Sequence, residues 1–411
     1  MANLTGGNLT GGNPTGAGAT GANPAWIVLA SPFRLFFLLA GGYAVLAMVP
    51  WLALLSGHAA WEGAMAPAVW HGHEMIFGYT VAVIAGFLLT AVADWTQTPA
   101  CSGRPLAILG LLWLLGRLGM ALAPSPWLAM AADLLFLPAL IATVARPLIR
   151  TGNRRQTLLM AALAALVAAD AAIHLESLGI GGGDVLSGLT TTVDLVMIPI
   201  GVIGGRVIPA FTGNVLRRRG ETELPRTRPW VERAAVPSLF LIAALDLAPL
   251  PAAVTGLAAL AAGALHAVRL SGWCGRRTLG QPILFVLHLG YGWLVLGLWL
   301  KALAALSPAL PPTAALHALT IGTVGTLTIG VMTRVSRGHT GRAMVAGPFA
   351  VTAYGLITVA ALARVAGPAL WPDEIGLALS VAGGCWLAAF AAFLADQVGI
   401  LTRPRVDGRP G

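Results

Sequence analysis

Charged residues are scarce in this chain: Asp, Glu, Lys and Arg together make 10% of its 411 residues, and Lys301 is the only lysine. A soluble domain carries roughly a quarter charged residues, so a water-soluble globular fold is excluded. Cysteine is scarce too. Cys101, Cys274 and Cys385 have no paired spacing, which argues against disulfides and against a thiolate metal site. The N-terminus lacks the basic stretch and apolar run of a signal peptide, so the first span, starting at Ser31-Pro32-Phe33, is expected to act as the insertion signal. No nucleic-acid-binding motif accompanies the net charge of +9.

What is abundant is apolar surface: 57% of the residues are hydrophobic and the mean hydropathy is +0.80. It is spread along the whole chain in stretches separated by Pro, Gly or Arg, each long enough for a helix to cross roughly 30 Å of hydrocarbon. The pattern predicts an all-α polytopic membrane protein of twelve transmembrane helices. The expected spans are roughly 32–56, 69–93, 105–123, 126–148, 156–178, 184–209, 231–248, 250–270, 281–303, 311–333, 343–366 and 374–401. They form one domain, 31–402, between two tails. Residues 1–30 are a Gly/Asn/Thr tract that repeats Leu-Thr-Gly-Gly-Asn at 4–8 and 9–13 and is too polar to fold; residues 403–411 are short and basic.

Alternate loops divide the arginines. One set holds Arg104, Arg146, Arg150, Arg154, Arg155, the run Arg217-Arg218-Arg219, Arg226, Arg228, Arg233, Arg269, Arg276, Arg277, Arg334, Arg337, Arg342, Arg403, Arg405 and Arg409; the other set holds almost none. Basic loops stay cytoplasmic. Both termini are therefore expected in the cytoplasm of a bacterial cell, with the positive charge facing anionic lipid of the inner membrane rather than nucleic acid.

Polar residues at membrane depth are expensive unless paired, ligated or wet. Arg117 and Asp133 lie at similar depth across a hairpin and read as an ion pair; Asp170 and Asp194 read as acceptors that orient a histidine or as parts of a proton path; Lys301 reads as a snorkelling side chain. Six of the eight histidines fall in spans. His71, His73, His174 and His317 share the outer third, His288 and His266 lie toward the inner side, His339 falls in an inner loop and His58 in an outer one. Four imidazoles at one level point to metal ligation.

In Trp70-His71-Gly72-His73-Glu74-Met75 the two histidines are about 200° apart on a regular helix of 3.6 residues per turn. Either the helix begins in irregular backbone and both serve one ion, or each faces a different centre. Imidazole suits haem iron, copper and zinc alike. Without Cys-x-x-Cys-His, a haem here would be bound non-covalently. Glu74 can tune an imidazole or cap the first turn.

Two motifs run to the inner side: Ile203-Gly204-Gly205-Arg206-Val207-Ile208-Pro209 continuing to Thr212 and Asn214, and His317-Ala318-Leu319-Thr320 continuing to Gly338-His339-Thr340-Gly341-Arg342. Gly322, Gly325 and Thr326 form a small face suited to helix packing. Arg206, Arg334, His339 and Arg342 are candidates for an anion or a haem propionate, or for lipid headgroups.

These motifs, with Ala85-Gly86-Phe87-Leu88-Leu89-Thr90-Ala91-Val92 and Leu287-His288-Leu289-Gly290-Tyr291, resemble those of the NnrS family over nearly all of the chain after residue 30. The resemblance implies a twelve-helix inner-membrane protein that contains haem and copper and protects against nitrosative stress. It points to His71, His73, His288, His317 and His339 as motif histidines; His174 rests on its depth. The expected arrangement is a haem b with axial ligands among His71, His73 and His317, and copper on the remaining outer histidines. No adjacent His-His pair and no His-x-x-x-Tyr motif links the sequence to haem-copper oxidases.

Three classes of function follow: a haem-copper oxidoreductase that transforms nitric oxide or a nitrosyl species with electrons from a donor, a sensor or electron carrier with filled axial positions, and a secondary transporter. An inverted repeat would favour the transporter, but spans 2 and 10 do not clearly match in sequence.

Overall fold

The computed structural model describes residues 24–63, 65–153 and 156–409. Residues 1–23 of the expected N-terminal tail, Arg154 and Arg155 of an expected basic loop, and the last two residues lie outside the described residues. Every regular element among the described residues is helical. Among the described residues eleven helices are long and apolar enough to cross a membrane: α1 (Pro32–Leu55), α2 (Pro67–Thr96), α3 (Arg104–Leu122), α4 (Pro126–Arg150), α5 (Thr157–Ser177), α6 (Val185–Arg218), α8 (Ala252–Ser271), α9 (Pro282–Leu306), α10 (Pro312–His339), α11 (Pro348–Leu370) and α12 (Pro372–Leu401). Between α6 and α8 runs α7 (Pro229–Leu247), which is less apolar because it carries Glu232, Arg233 and Asp246. These twelve rods correspond one for one to the spans predicted from hydropathy. The protein is an all-α polytopic membrane protein.

Proline sets much of the punctuation. Pro32, Pro67, Pro126, Pro229, Pro282, Pro312 and Pro348 each open a rod, where the missing N–H costs nothing because first-turn donors have no intrahelical acceptor. Inside a rod the effect reverses, since the ring clashes with the carbonyl four residues earlier. Thus α1 breaks between Leu46 and Met48, ahead of Pro50, and α4 breaks after Asp133, ahead of Pro138.

Rods adjacent in sequence mostly pack together, and α12 returns to α1 to close the bundle. Two long-range bonds tie that seam. Trp386 Nε1 donates to Ala44 O at 2.9 Å, and the fully buried Arg34 donates from Nη1 to Leu401 O and Arg403 O, both at 2.9 Å, so a cation satisfies carbonyls at the α12 terminus. The C-terminal tail folds back on α10, with Arg405 Nη1 donating to His339 O at 2.6 Å.

The outward surface is apolar, as lipid requires: Leu111, Leu118 and Leu122 on α3 and Leu257 and Leu260 on α8 are exposed. The most enclosed rods are α2, α9, α10 and α6, and of these α2, α6 and α10 touch one another. Two of these are not regular α-helices. A π-helical segment, Glu74–Thr80, follows His73 in α2, and another, Ala318–Gly325, follows His317 in α10. Such segments re-aim the residues on either side and are common at functional sites.

Candidate metal centre

The π segment of α2 is held open by its neighbours. Widening the turn releases backbone carbonyls from the regular ladder, and side chains take them up: Thr80 Oγ1 donates to Met75 O at 2.7 Å, and Trp113 Nε1 on α3 donates to Gly78 O at 2.9 Å. Gly78 permits this approach. A Cβ there would run into the Tyr43 ring and stand 3.1 Å from Arg117 Nη1.

The residues gathered beside this segment come from five rods. His73 and Glu74 stand on α2, Arg117 on α3, Asp133 at the break in α4, Asp170 and His174 one turn apart on α5, and Tyr43 on α1. His73 Nε2 lies 3.0 Å from Asp170 Oδ1 and 3.1 Å from Asp133 Oδ2. His174 Nε2 lies 3.2 Å from the same Asp133 oxygen and 3.8 Å from Asp170 Oδ1. One atom from each of these four side chains falls within 4.8 Å of the other three, and all four residues are buried. That is the compactness of a coordination shell.

Behind it lies a second layer. Glu74 Oε1 sits 2.9 Å from His73 Nδ1, and Arg117 Nη1 donates to both Glu74 oxygens at 2.7 Å. Tyr43 also donates to Glu74, and Arg117 Nη2 pairs with Asp133. A carboxylate on Nδ1 fixes the ring and leaves Nε2 to face the shell, the usual support for a metal-bound imidazole. Asp133 therefore serves twice, as partner of Arg117 and as a member of the shell. Glu74 orients an imidazole and caps nothing.

Charge decides what the shell can hold. Three buried carboxylates against one guanidinium leave two negative charges uncompensated when both imidazoles are neutral, and burying them in lipid is costly. One divalent cation cancels them. Two nitrogen and two oxygen donors suit a borderline first-row ion such as copper(II), zinc or iron(II). A vestibule of about 30 Å³, lined by Trp61, Met65, Trp70 and Met120, leads to His174 from the side opposite the arginine-rich loops.

The same geometry separates His71 from His73. His71 stacks on Trp51 with ring centroids 4.4 Å apart and planes 8° apart, and its buried Nδ1 has no hydrogen-bond partner. His317 Nδ1 donates to Thr313 O at 2.7 Å, which fixes its tautomer and leaves Nε2 as the free donor atom. The four outer histidines thus divide into two groups, His73 and His174 in the shell and His71 and His317 outside it.

A model of the NnrS protein family matches residues 27–405. The chain belongs to the NnrS family. The match spans all twelve rods and every motif histidine, while none of the curated proteins searched matches the chain.

In this NnrS-family chain the other expected site residues stand apart from both groups. His288 Nε2 bonds Thr212 Oγ1 at 2.9 Å; that hydroxyl already donates to Ile208 O, so it accepts from the ring, and Nδ1 is left as an unpaired acceptor packed against Gly275 and Trp273. His266 is structural: Nε2 must donate to Ala235 O at 3.1 Å, so Nδ1 accepts from Tyr291 Oη at 2.7 Å. Asp194 orients no histidine. It pairs with Lys301, which also holds Asp246, each at 2.5 Å, because α6, α7 and α9 aim these side chains inward; Lys301 does not snorkel.

The four inner candidates have different neighbours. Arg206 donates to Gln156 at 2.9 Å, Arg334 lies 3.9 Å over the Phe211 ring, the His339 ring packs 5.5 Å from Phe33, and Arg342 has a buried Nη1 without a partner. Gly322 and Gly325 serve packing as expected, against Trp293 and against Ile357 with Trp386. Sequence reasoning missed Asp133 as a shell member and Tyr43 and Asp246 altogether. The one available signal was that Asp133 shares its depth with His174 on the neighbouring rod.

Proposed function

We propose that this NnrS-family chain is a haem- and copper-binding protein of the bacterial inner membrane that acts in resistance to nitric oxide. Copper is assigned to His73, Asp133, Asp170 and His174, and haem b to His71 and His317. The observation that carries the reading is the four-atom shell, in whose surroundings three buried carboxylates face one guanidinium. The family supplies the setting of nitric oxide response, and the arginine-rich loops support insertion in the inner membrane with those loops cytoplasmic.

The residues fit the two groups differently. His73 has both nitrogens engaged by carboxylates, which suits a small cation and not a porphyrin axial position. His71 and His317 meet no carboxylate; one has an orphaned buried nitrogen and the other a fixed Nδ1–H, which suits imidazole ligation of haem iron. When bound, haem and copper would supply one-electron chemistry toward nitric oxide. The chain's own part is to hold His73 through Glu74, to hold Glu74 through Arg117 and Tyr43, and to keep bulk water out through burial.

Metal analysis and absorption spectra of the purified full chain test the reading. One haem and one copper per chain are expected, with Asp170→Asn losing copper and His317→Ala losing haem. Wild-type metal content in both variants would refute the assignment. Spectra of the reduced protein with and without nitric oxide then separate the classes of function. A large response marks an open iron site suited to reaction, and no response marks a saturated iron suited to electron transfer or sensing.

A further inference from the structure

Arg334 is a buried cation without a counter-ion. It is 6% exposed, and its Nε has no hydrogen-bond partner. Among the described residues no carboxylate pairs with it, and the charged side chain that acts on it is Arg218, of the same sign. Its guanidinium rests on the Phe211 ring, which offsets part of the desolvation but supplies no negative charge. An anion is the missing partner.

The position of Arg334 says which kind of anion. An apolar groove of about 80 Å³ runs between α2, α6 and α10, lined by Phe87, Val196, Ile200, Ile203, Leu327 and Val331 among others. On α10 the lining stripe Val324, Leu327, Val331 continues at helical spacing to Arg334; on α6 the stripe Ile200, Ile203, Val207 continues to Phe211. Arg334 therefore stands one helical turn beyond Val331, the last lining residue of α10. The groove's lining reaches from Val196 to Ile208 on α6, about 18 Å at 1.5 Å per residue, and from Val324 to Val331 on α10, about 10 Å, which brackets one leaflet of a hydrocarbon core ~30 Å thick. Its charged mouth lies toward the arginine-rich loops, where anionic lipid collects.

We propose that the groove holds an acyl chain of an anionic phospholipid from the leaflet on the arginine-rich side, with the lipid phosphate seated on Arg334. Apolar walls one leaflet deep recognise the chain, and the unpaired guanidinium recognises the phosphate. This site is separate from both histidine groups and holds whether or not they bind metal.

Native mass spectrometry of the purified full chain, delipidated and then titrated with phosphatidylglycerol or phosphatidylcholine, tests the proposal. The wild type is expected to retain phosphatidylglycerol at least tenfold more tightly than Arg334→Gln, with Arg334→Lys between them and phosphatidylcholine weak throughout. Ile203→Trp, which fills the groove and leaves the charge, is expected to lose the lipid as well and stands as the test if Arg334→Gln does not fold. Inorganic phosphate should not compete. Equal retention of phosphatidylglycerol by wild type and Ile203→Trp, equal binding of the two lipids, competition by inorganic phosphate, or loss of haem rather than lipid from Arg334→Gln would each overturn it.

Discussion

Arg117 grips both oxygens of Glu74 from one nitrogen, at 2.7 Å each, directly behind the imidazole of His73. The pair is fully enclosed, and Arg117 is also the partner of Asp133. Among the described residues it is the one guanidinium paired with carboxylates of this cluster, Glu74 and Asp133. Removing one partner from a buried ion pair is costly because the other is left unpaired, typically 3–5 kcal/mol. Arg117→Met is therefore expected to destabilise the protein by about that amount in a thermal denaturation series in detergent. A divalent ion, if it occupies the shell, should recover part of the loss. An Arg117→Met protein as stable as wild type would show that the carboxylates are not held as described.

Glu74 meets the shell at His73 and, through Arg117, at Asp133, without being one of its four members. Outer carboxylates of this kind are worth 10–100-fold in metal affinity. Glu74→Gln keeps the shape and loses the charge, so copper affinity is expected to fall within that range while the fold is kept. Asp133→Asn and Asp170→Asn, which remove shell donors, should fall further. Competition with a chelator of known affinity reads the difference, and equal losses in all three variants would place Glu74 in the shell itself.

Steric room at the centre comes from glycine. A Cβ on Gly116 would stand 2.8 Å from Asp133 Oδ1 and 3.1 Å from its Cα, so α3 and α4 approach at this point only without a side chain. Overpacking of this kind costs typically 1–3 kcal/mol. Gly116→Ala is expected to destabilise by that order and to lower metal occupancy, since Asp133 cannot give way without leaving His73 and His174. Gly42, where a Cβ would meet nothing, is the control. Measuring unfolding and metal content for Gly116→Ala and Gly42→Ala together checks the argument.

The sequence showed depth well and azimuth poorly. Hydropathy and proline positions marked all twelve rods, and the arginines marked one face, because bilayer thickness and helix-breaking act locally along the chain. Depth also put His73 and His174 at one level. Which histidines actually meet depends on how each rod is turned about its axis, and hydropathy does not report that. Hence Asp133 read as a partner of Arg117, and Asp194 read as a histidine acceptor or part of a proton path when its partner, Lys301, lies 107 residues away. Irregular backbone near His71 and His73 was one of two readings of that pair, but the π segments after His73 and His317 were themselves hidden for a related reason: they shift the helical phase, and a run of apolar residues with no polar stripe carries no phase to shift.

Lys301 gives a test that involves no metal. It holds Asp194 and Asp246 at 2.5 Å from a position where the three side chains have little contact with solvent. Lys301→Met leaves two carboxylates facing each other in an apolar setting and should destabilise by about 3–5 kcal/mol. Adding Asp194→Asn and Asp246→Asn removes the orphaned charge, and the triple variant should regain most of that stability. A coupling energy well above the ~0.5 kcal/mol seen for independent sites is expected from the cycle. Simple additivity across the three substitutions would mean that the lysine reaches solvent after all, and that α6, α7 and α9 are not joined through it.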